Sequence, residues 1–172
     1  MAGNYYLSLV SGIKTFVKAI QTSAGVGDAG KIPALDSSGK LDSSMMPVGI
    51  GSEVDVIPAS ENLSAGDLVN IYTNAGVSNV RKADASVAGK EANGFVLAAV
   101  ASGSNATVYR SSQSNTQRTA LTPGATYYLN TTAGGVTIDV SGFVAGNVIQ
   151  SVGKAINATI LSFDPGDVYI LS

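Results

Sequence analysis

Turn-forming dipeptides interrupt this 172-residue chain at short intervals after about residue 60. They are Ala65-Gly66, Ala75-Gly76, Pro123-Gly124, Gly134-Gly135 and Pro165-Gly166. Such short spacing is typical of a β-sandwich or β-barrel. Between two of these turns, Val136, Ile138 and Val140 alternate with polar residues, which is the two-residue period of a half-buried strand. We therefore predict that residues 53–172 form a mainly β, compact antiparallel sandwich or barrel.

One apolar run stands out within this domain. GFVLAAVAS (Gly94 to Ser102) is continuous and lies between turn signals. The run predicts a strand buried on both faces, although a short buried helix would have the same pattern.

Two stretches of the domain resemble each other. LSAGDLVNIYTNAG (Leu63 to Gly76) matches LTPGATYYLNTTAG (Leu121 to Gly134), and VLAAVASGSNATV (Val96 to Val108) matches VIQSVGKAINATI (Val148 to Ile160). Two copies are too few for a solenoid. The matches predict two similar β units, at about 63–109 and 121–170, that share one core.

The first segment, residues 1–21, is amphipathic at helical spacing. Gly12 and the β-branched residues weaken the helix prediction, so a strand-like arm stays an alternative. The apolar stripe either packs on its own domain or docks on a partner. The residues that form the stripe, and that the docking hypothesis makes the contact surface, are Tyr6, Leu9, Val10, Ile13, Phe16, Val17 and Ile20.

Residues 22–52 have no sustained period and are rich in Gly, Ser and Pro, which predicts an extended, hinge-rich linker. Its GVGDAGKI stretch contains G-x-G-x-x-G and the start of a P-loop pattern. A P-loop needs Ser or Thr after the lysine and a helix beginning there, but Ile32 follows and Pro33 disfavours the helix. We predict hinges and no bound cofactor. The predicted hinge positions are Gly25, Gly27, Gly30, Gly39 and Pro47.

The composition argues against most catalytic and nucleic-acid functions. Ten basic and twelve acidic residues give a net charge of -2, without the concentrated basic footprint that phosphate binding needs. The chain has no His and no Cys, which excludes Ser-His-Asp and Cys-His sites and thiolate metal sites. We expect no metal ligands and no enzyme, although folding could still bring two carboxylates together.

No apolar run approaches the ~18 residues of a membrane span, and no basic region precedes the first apolar segment. We therefore expect a protein made and used inside a cell, or released by lysis.

AGKIPALDSSGKLDSSMMPVGIG (Ala29 to Gly51) resembles the linker of structural proteins of tailed bacteriophages. Both capsid decoration proteins (cement or head-fibre proteins) and tail fibres have linkers of this style. The units that follow, with L-x-[AP]-G near their start and Asn-Ala-Thr near their end, are also similar to the β domains of such proteins.

The resemblance implies a homotrimer on the virion, with an N-terminal arm that attaches and a β domain that projects. Its implied partners are further copies of itself and the phage major capsid protein, with no nucleic acid and no membrane. The implied location is the capsid surface, after synthesis in the cytoplasm of the host bacterium. One linker and one domain favour capsid decoration over a long fibre. The alternative is a short tail fibre or tail-tip adhesin that binds a host surface glycan.

Overall fold

The computed structural model describes residues 5–46 and 53–172. The chain divides into two compact units, Met1–Gly51 and Ser52–Ser172. Each unit is described by itself.

The first unit begins with a β-hairpin. Strand β1 (Tyr5–Val10) pairs antiparallel with β2 (Ile13–Lys18). The turn residues Ser11 and Gly12 have φ of 52° and 81°, the left-handed conformation at both central positions of a two-residue type I′ turn. Residues 5–18 are therefore a β-hairpin, so the predicted helix is wrong over these residues and the strand-like alternative describes them.

The physical reason lies in Gly12 and in a second period of the same sequence. A glycine inside a helix costs about 1 kcal/mol relative to alanine, whereas the type I′ turn favours it. Tyr5, Leu7 and Leu9 also alternate with their neighbours in the period of a strand, and this pattern competes with the helical stripe.

The rest of the first unit folds back on itself instead of remaining fully extended. Short 3-10 helices span Val26–Asp28 and Ser43–Met45. Ile20 forms a parallel bridge with Pro33, in which the Ile20 N–H donates to the Ile32 carbonyl at 3.0 Å and the Ala34 N–H donates to the Ile20 carbonyl at 2.7 Å.

The second unit contains two antiparallel sheets. The first has the order β3-β7-β6-β4-β5. Its strands are β3 (Val54–Pro58), β4 (Leu68–Asn74), β5 (Val77–Lys82), β6 (Gly94–Phe95) and β7 (Asn105–Tyr109).

The second sheet has the order β10-β9-β11-β12-β8, and an additional strand, β13, pairs with the start of β11. These strands are β8 (Gln113–Asn115), β9 (Thr126–Leu129), β10 (Val136–Thr137), β11 (Val148–Ala155), β12 (Leu161–Phe163) and β13 (Val168–Ile170). The described strands form open sheets and no closed barrel, so the prediction of a mainly β, antiparallel domain is confirmed at that level.

The two sheets share one hydrophobic core. Leu68 and Phe95 of the first sheet are fully buried in the same cluster as Leu129, Val148 and Phe163 of the second. The rings of Phe95 and Phe163 meet edge to face with centroids 5.5 Å apart. A smaller cluster around Val69, Val80 and Val108 fills the other side of the first sheet.

The sequence repeat does not produce two similar units. The Leu-x-x-Gly turns precede β4 and β9, so the first match holds locally. The second match fails, because Asn105 begins strand β7 whereas Asn157 lies in a turn and accepts the Thr159 N–H at 2.8 Å. The shared letters therefore encode shared turns, while strand order and length differ between the two sheets.

The apolar run is a strand only over Gly94-Phe95. Beyond it, Ala98, Ala99 and Ala101 are exposed, and Val100 forms an isolated bridge with Leu63. The prediction of a fully buried strand over the whole run is wrong, because alanine methyl groups bury little apolar area and do not hold the segment in the core.

We predict that Gly94→Ala destabilises the second unit by about 1–3 kcal/mol through overpacking. A Cβ at this buried position would lie 2.6 Å from both the Tyr109 carbonyl oxygen and Val108 Cγ1. Gly142→Ala is the matched control, since a Cβ there meets no atom within 4 Å. Urea unfolding followed by tyrosine fluorescence measures both variants, and equal midpoints would contradict the prediction.

Candidate functional site

One face of the hairpin carries four large apolar side chains that are exposed to solvent. Side chains of directly paired residues project on the same face of an antiparallel pair, so the register defines this surface, which we name the Leu7 face. It consists of Tyr5, Leu7, Leu9, Lys14, Phe16 and Lys18.

The Leu7 face is exposed to solvent. Leu7, Leu9 and Phe16 are 58%, 67% and 73% exposed. A contiguous apolar patch of this kind marks an interaction site more often than scattered single residues do. An isolated two-stranded hairpin is also only marginally stable in water, so burial of this face against a partner would stabilise the hairpin.

The hairpin is positively charged. Lys14 and Lys18 are exposed and lie opposite Leu9 and Tyr5, and no Asp or Glu occurs between Tyr5 and Lys18. The two ammonium groups therefore border the apolar patch without an acidic partner on the hairpin itself. Such a surface complements a patch that combines apolar side chains with carboxylates.

The structure does not bring the seven predicted contact residues together on one stripe. Only Leu9 and Phe16 belong to the Leu7 face. Tyr6, Ile13 and Val17 lie on the opposite face, and Val10 pairs with Ile13. Ile20 lies outside the hairpin, in the bridge to Pro33. The helical interpretation missed Tyr5, Leu7, Lys14 and Lys18. The alternation of Tyr5, Leu7 and Leu9 was the signal that identifies them.

The GVGDAGK stretch closes around a carboxylate of its own. Asp28 Oδ2 accepts the Ala24 N–H at 2.6 Å, and Asp28 Oδ1 accepts from Lys31 Nζ at 2.6 Å. The hydrogen bond from Lys31, followed by that from Ala24, holds the pKa of Asp28 below its usual value. The lysine and a backbone amide that a phosphate would need already bind Asp28, which argues against a nucleotide site.

The predicted hinge residues have different conformations. Gly25 and Gly30 have φ of 93° and 82°, which strains any residue with a Cβ. No atom lies within 4 Å of a Cβ built at either position. Glycine is therefore required for the backbone conformation of the turn and not to make room for a neighbouring group. Gly27 has ordinary φ, Gly39 completes the turn at Asp36, and Pro47 lies outside the described residues. Their role as hinges stays a prediction.

The second unit has a polar cleft of about 580 Å³. Its lining includes Glu53, Asp55, Asn93, Arg110 and Ser111. Arg110 Nε donates to Asp55 Oδ2 at 2.6 Å, and Asn93 Oδ1 accepts the Ile71 N–H at 2.8 Å. Carboxylate, guanidinium and amide groups of this kind hydrogen-bond polyhydroxylated ligands.

Arg118 is the one ionisable side chain of the described residues whose pKa burial shifts strongly, to about 10. Asp67 opposes this decrease, so the guanidinium stays protonated at neutral pH. Arg118 Nη2 donates to the Gly134 carbonyl at 2.9 Å, and the buried Asn115 donates to the Gly66 carbonyl at 2.8 Å. These two hydrogen bonds attach residues 115–118 to the turns at Gly66 and Gly134, which is a structural role.

Within residues 5–46 and 53–172, no three acidic side chains come close enough together to hold a metal ion. No helix in these ranges has the length and apolarity needed to cross a membrane.

No protein-family model matches this chain, and no curated protein matches it at a significant level. The features of the chain that bear on its function are the exposed hairpin, the polar cleft and the linker at Ala29 to Gly51.

We predict that the Asp28 contact is complete above the ordinary aspartate pKa of about 3.9 and is lost as the pH falls through the lower value in the folded loop. The Ala24 amide, followed by NMR, should be constant from neutral pH to about pH 4 and shift below it. Lys31→Ala removes the main cause of the lowered Asp28 pKa and should move the pH midpoint of the Ala24 amide shift upwards. Lys40→Ala, whose side chain does not contact Asp28, should leave it unchanged, and equal effects of the two variants would contradict this account.

Proposed function

We propose that this chain is a virion structural protein that decorates the assembled head of a tailed phage. The observation that carries the proposal is the exposed, positively charged Leu7 face, in a unit separate from the β domain. The phage-like linker at Ala29 to Gly51 points to the virion as the setting.

In this proposal the Leu7 face docks on the major capsid protein. Burial of Leu7, Leu9 and Phe16 supplies the free energy, at roughly 25 cal/mol for each Å² of apolar surface removed from water. Lys14 and Lys18 pair with carboxylates at the rim and orient the hairpin. Because the protein binds only the assembled lattice, binding stabilises the shell by mass action.

The β domain has a structural role in this proposal, without catalysis. The buried Arg118, for example, donates from Nη2 to the Gly134 carbonyl and holds a loop of the domain in place. The resemblance of the linker implies a homotrimer on the capsid surface, and the three-chain stoichiometry is part of the proposal.

The polar cleft favours a second candidate, a short tail fibre or tail-tip adhesin. Asp55, Asn93 and Arg110 would supply the acceptors and donors that a host surface glycan requires. Saturable binding in a glycan array, lost in Asn93→Ala, would favour this function over decoration.

Immunogold labelling of purified virions with an antibody to this chain separates the two functions. We expect label distributed over the head. Label confined to the tail tip would favour the adhesin, and unlabelled virions would overturn both candidates.

We further predict that Phe16→Ser weakens binding to purified heads by about 10–100-fold, because a fully buried large apolar side chain contributes about 1.5–3 kcal/mol. Cosedimentation with tail-less heads measures the affinity. Thr15→Ser is the matched control, since Thr15 is the neighbouring residue and lies on the other face. Unchanged occupancy by Phe16→Ser, with the β domain still folded by circular dichroism, would exclude the Leu7 face as the contact.

A further inference from the structure

Strand β13 has an uncovered outer edge. On one side it pairs with β11, with Val148 opposite Ile170 and Gln150 opposite Val168. Strand β12 pairs with the other end of β11, and β8 covers the outer edge of β12. Among the described residues, no strand covers β13 in the same way.

The backbone groups of Val168 and Ile170 point away from the sheet. Leu171 N–H donates to the Asn147 carbonyl at 2.9 Å, so the Leu171 amide points towards the β11 side. The Val148 N–H donates to Ala85 at 2.8 Å, away from β13. Because these directions alternate along an antiparallel strand, the N–H and C=O groups of Val168 and Ile170 face outward. Within residues 53–172, neither residue forms a backbone hydrogen bond outside the β11–β13 pair.

The side chains along this edge are apolar and exposed. Val168, Tyr169 and Ile170 are 42%, 63% and 60% exposed, and the segment from Val168 to Leu171 carries no charge. Monomeric proteins protect such edges with lysine, proline, a bulge or a covering loop. Strand β13 is short, with three residues, but it carries no lysine, proline or bulge and no described loop covers it, so its edge can pair with another strand.

We propose that β13 pairs antiparallel with β13 of a second copy, about a two-fold axis at Tyr169. In this register Val168 lies opposite Ile170 of the second copy, and each such pair exchanges both of its N–H···O bonds. Tyr169 lies opposite Tyr169 of the second copy as a non-hydrogen-bonded pair, in which side chains approach more closely.

The register is complementary in charge and in shape. Asp167 lies opposite Leu171 of the second copy, so no two like charges meet. Val168 and Ile170 project on the same face as the buried Val148 and Gln150. Pairing therefore continues this face across the two copies and brings Val168 of one copy into contact with Ile170 of the other.

The contact is small compared with the roughly 1,200 Å² that stable complexes bury. The two copies therefore associate weakly in dilute solution and more fully where chains are crowded. A two-fold edge contact joins chains in pairs, so a trimer closes through another surface. This inference is independent of the proposed function, because it concerns the free protein and needs no phage particle.

Single cysteines in the full chain test the register, because the chain contains none of its own. Residues of a non-hydrogen-bonded pair have Cα atoms about 4.5 Å apart, within the range of a disulfide. Under mild oxidation Tyr169→Cys should form covalent dimers at least about tenfold faster than Val168→Cys. The two Val168 positions are not opposite each other in this register, because they are displaced by two residues, about 7 Å along the strand. Equal rates, or no dimer from Tyr169→Cys, would overturn the proposal.

A charge exchange tests the same axis without a covalent bond. Tyr169→Lys and Tyr169→Glu each place like charges opposite one another and should shift the concentrated protein to monomers in sedimentation experiments. An equimolar mixture should recover the paired species. Ile156→Lys, at an equally exposed isoleucine outside β13, should associate as the unaltered chain does. A mixture that stays monomeric would overturn the proposal, as would protection of the β13 amides from hydrogen exchange only in the presence of another protein.

Discussion

The contact between Phe95 and Phe163 is the interaction on which the second unit depends. Phe95 belongs to a two-residue strand, which could not hold its position by backbone pairing alone. Its ring meets Phe163 edge to face and stacks on Tyr109 at 5.4 Å, so one side chain joins the two sheets to a single core. Gln150 restricts how the two sheets are oriented, because its side-chain amide forms two hydrogen bonds with the Ala92 backbone, at 2.8 and 3.0 Å. Apolar packing supplies the free energy, and this buried amide pair selects the relative alignment of the sheets.

A core organised in this way leaves two conspicuous apolar surfaces outside it. The Leu7 face belongs to a two-stranded hairpin, which has too few strands to bury its own side chains. The β13 edge lies beside β12 along β11, and β8 covers β12 but no described strand covers β13. Both surfaces gain free energy from a partner, and the two proposals assign them different partners, a capsid protein and a second copy of the chain.

The parts of the fold that could be predicted are those that local sequence controls. Turns were predicted correctly at Ala65-Gly66 and Pro123-Gly124, just before β4 and β9, because glycine permits the backbone conformation of a turn. The hairpin at Ser11-Gly12 was mispredicted because its apolar residues satisfy both the helical and the strand period. The identical Asn-Ala-Thr triplets misled for another reason, since their conformation depends on the strands beside them. Of the seven predicted contact residues, only Leu9 and Phe16 share the Leu7 face, because register and not spacing decides which side chains meet.

The sequence by itself determined the β class, the positions of the turns, the absence of histidine and cysteine, and the absence of a Ser or Thr after the lysine of the GVGDAGK stretch. These properties follow from residue type and from interactions between near neighbours, such as Asp28 with Lys31. The tertiary structure decided which apolar residues are buried, where Arg118 is desolvated, and which strand edge stays open. Those outcomes depend on pairing between residues far apart in the chain, such as Val148 with Ile170, and pairing of this kind leaves no local periodicity to read.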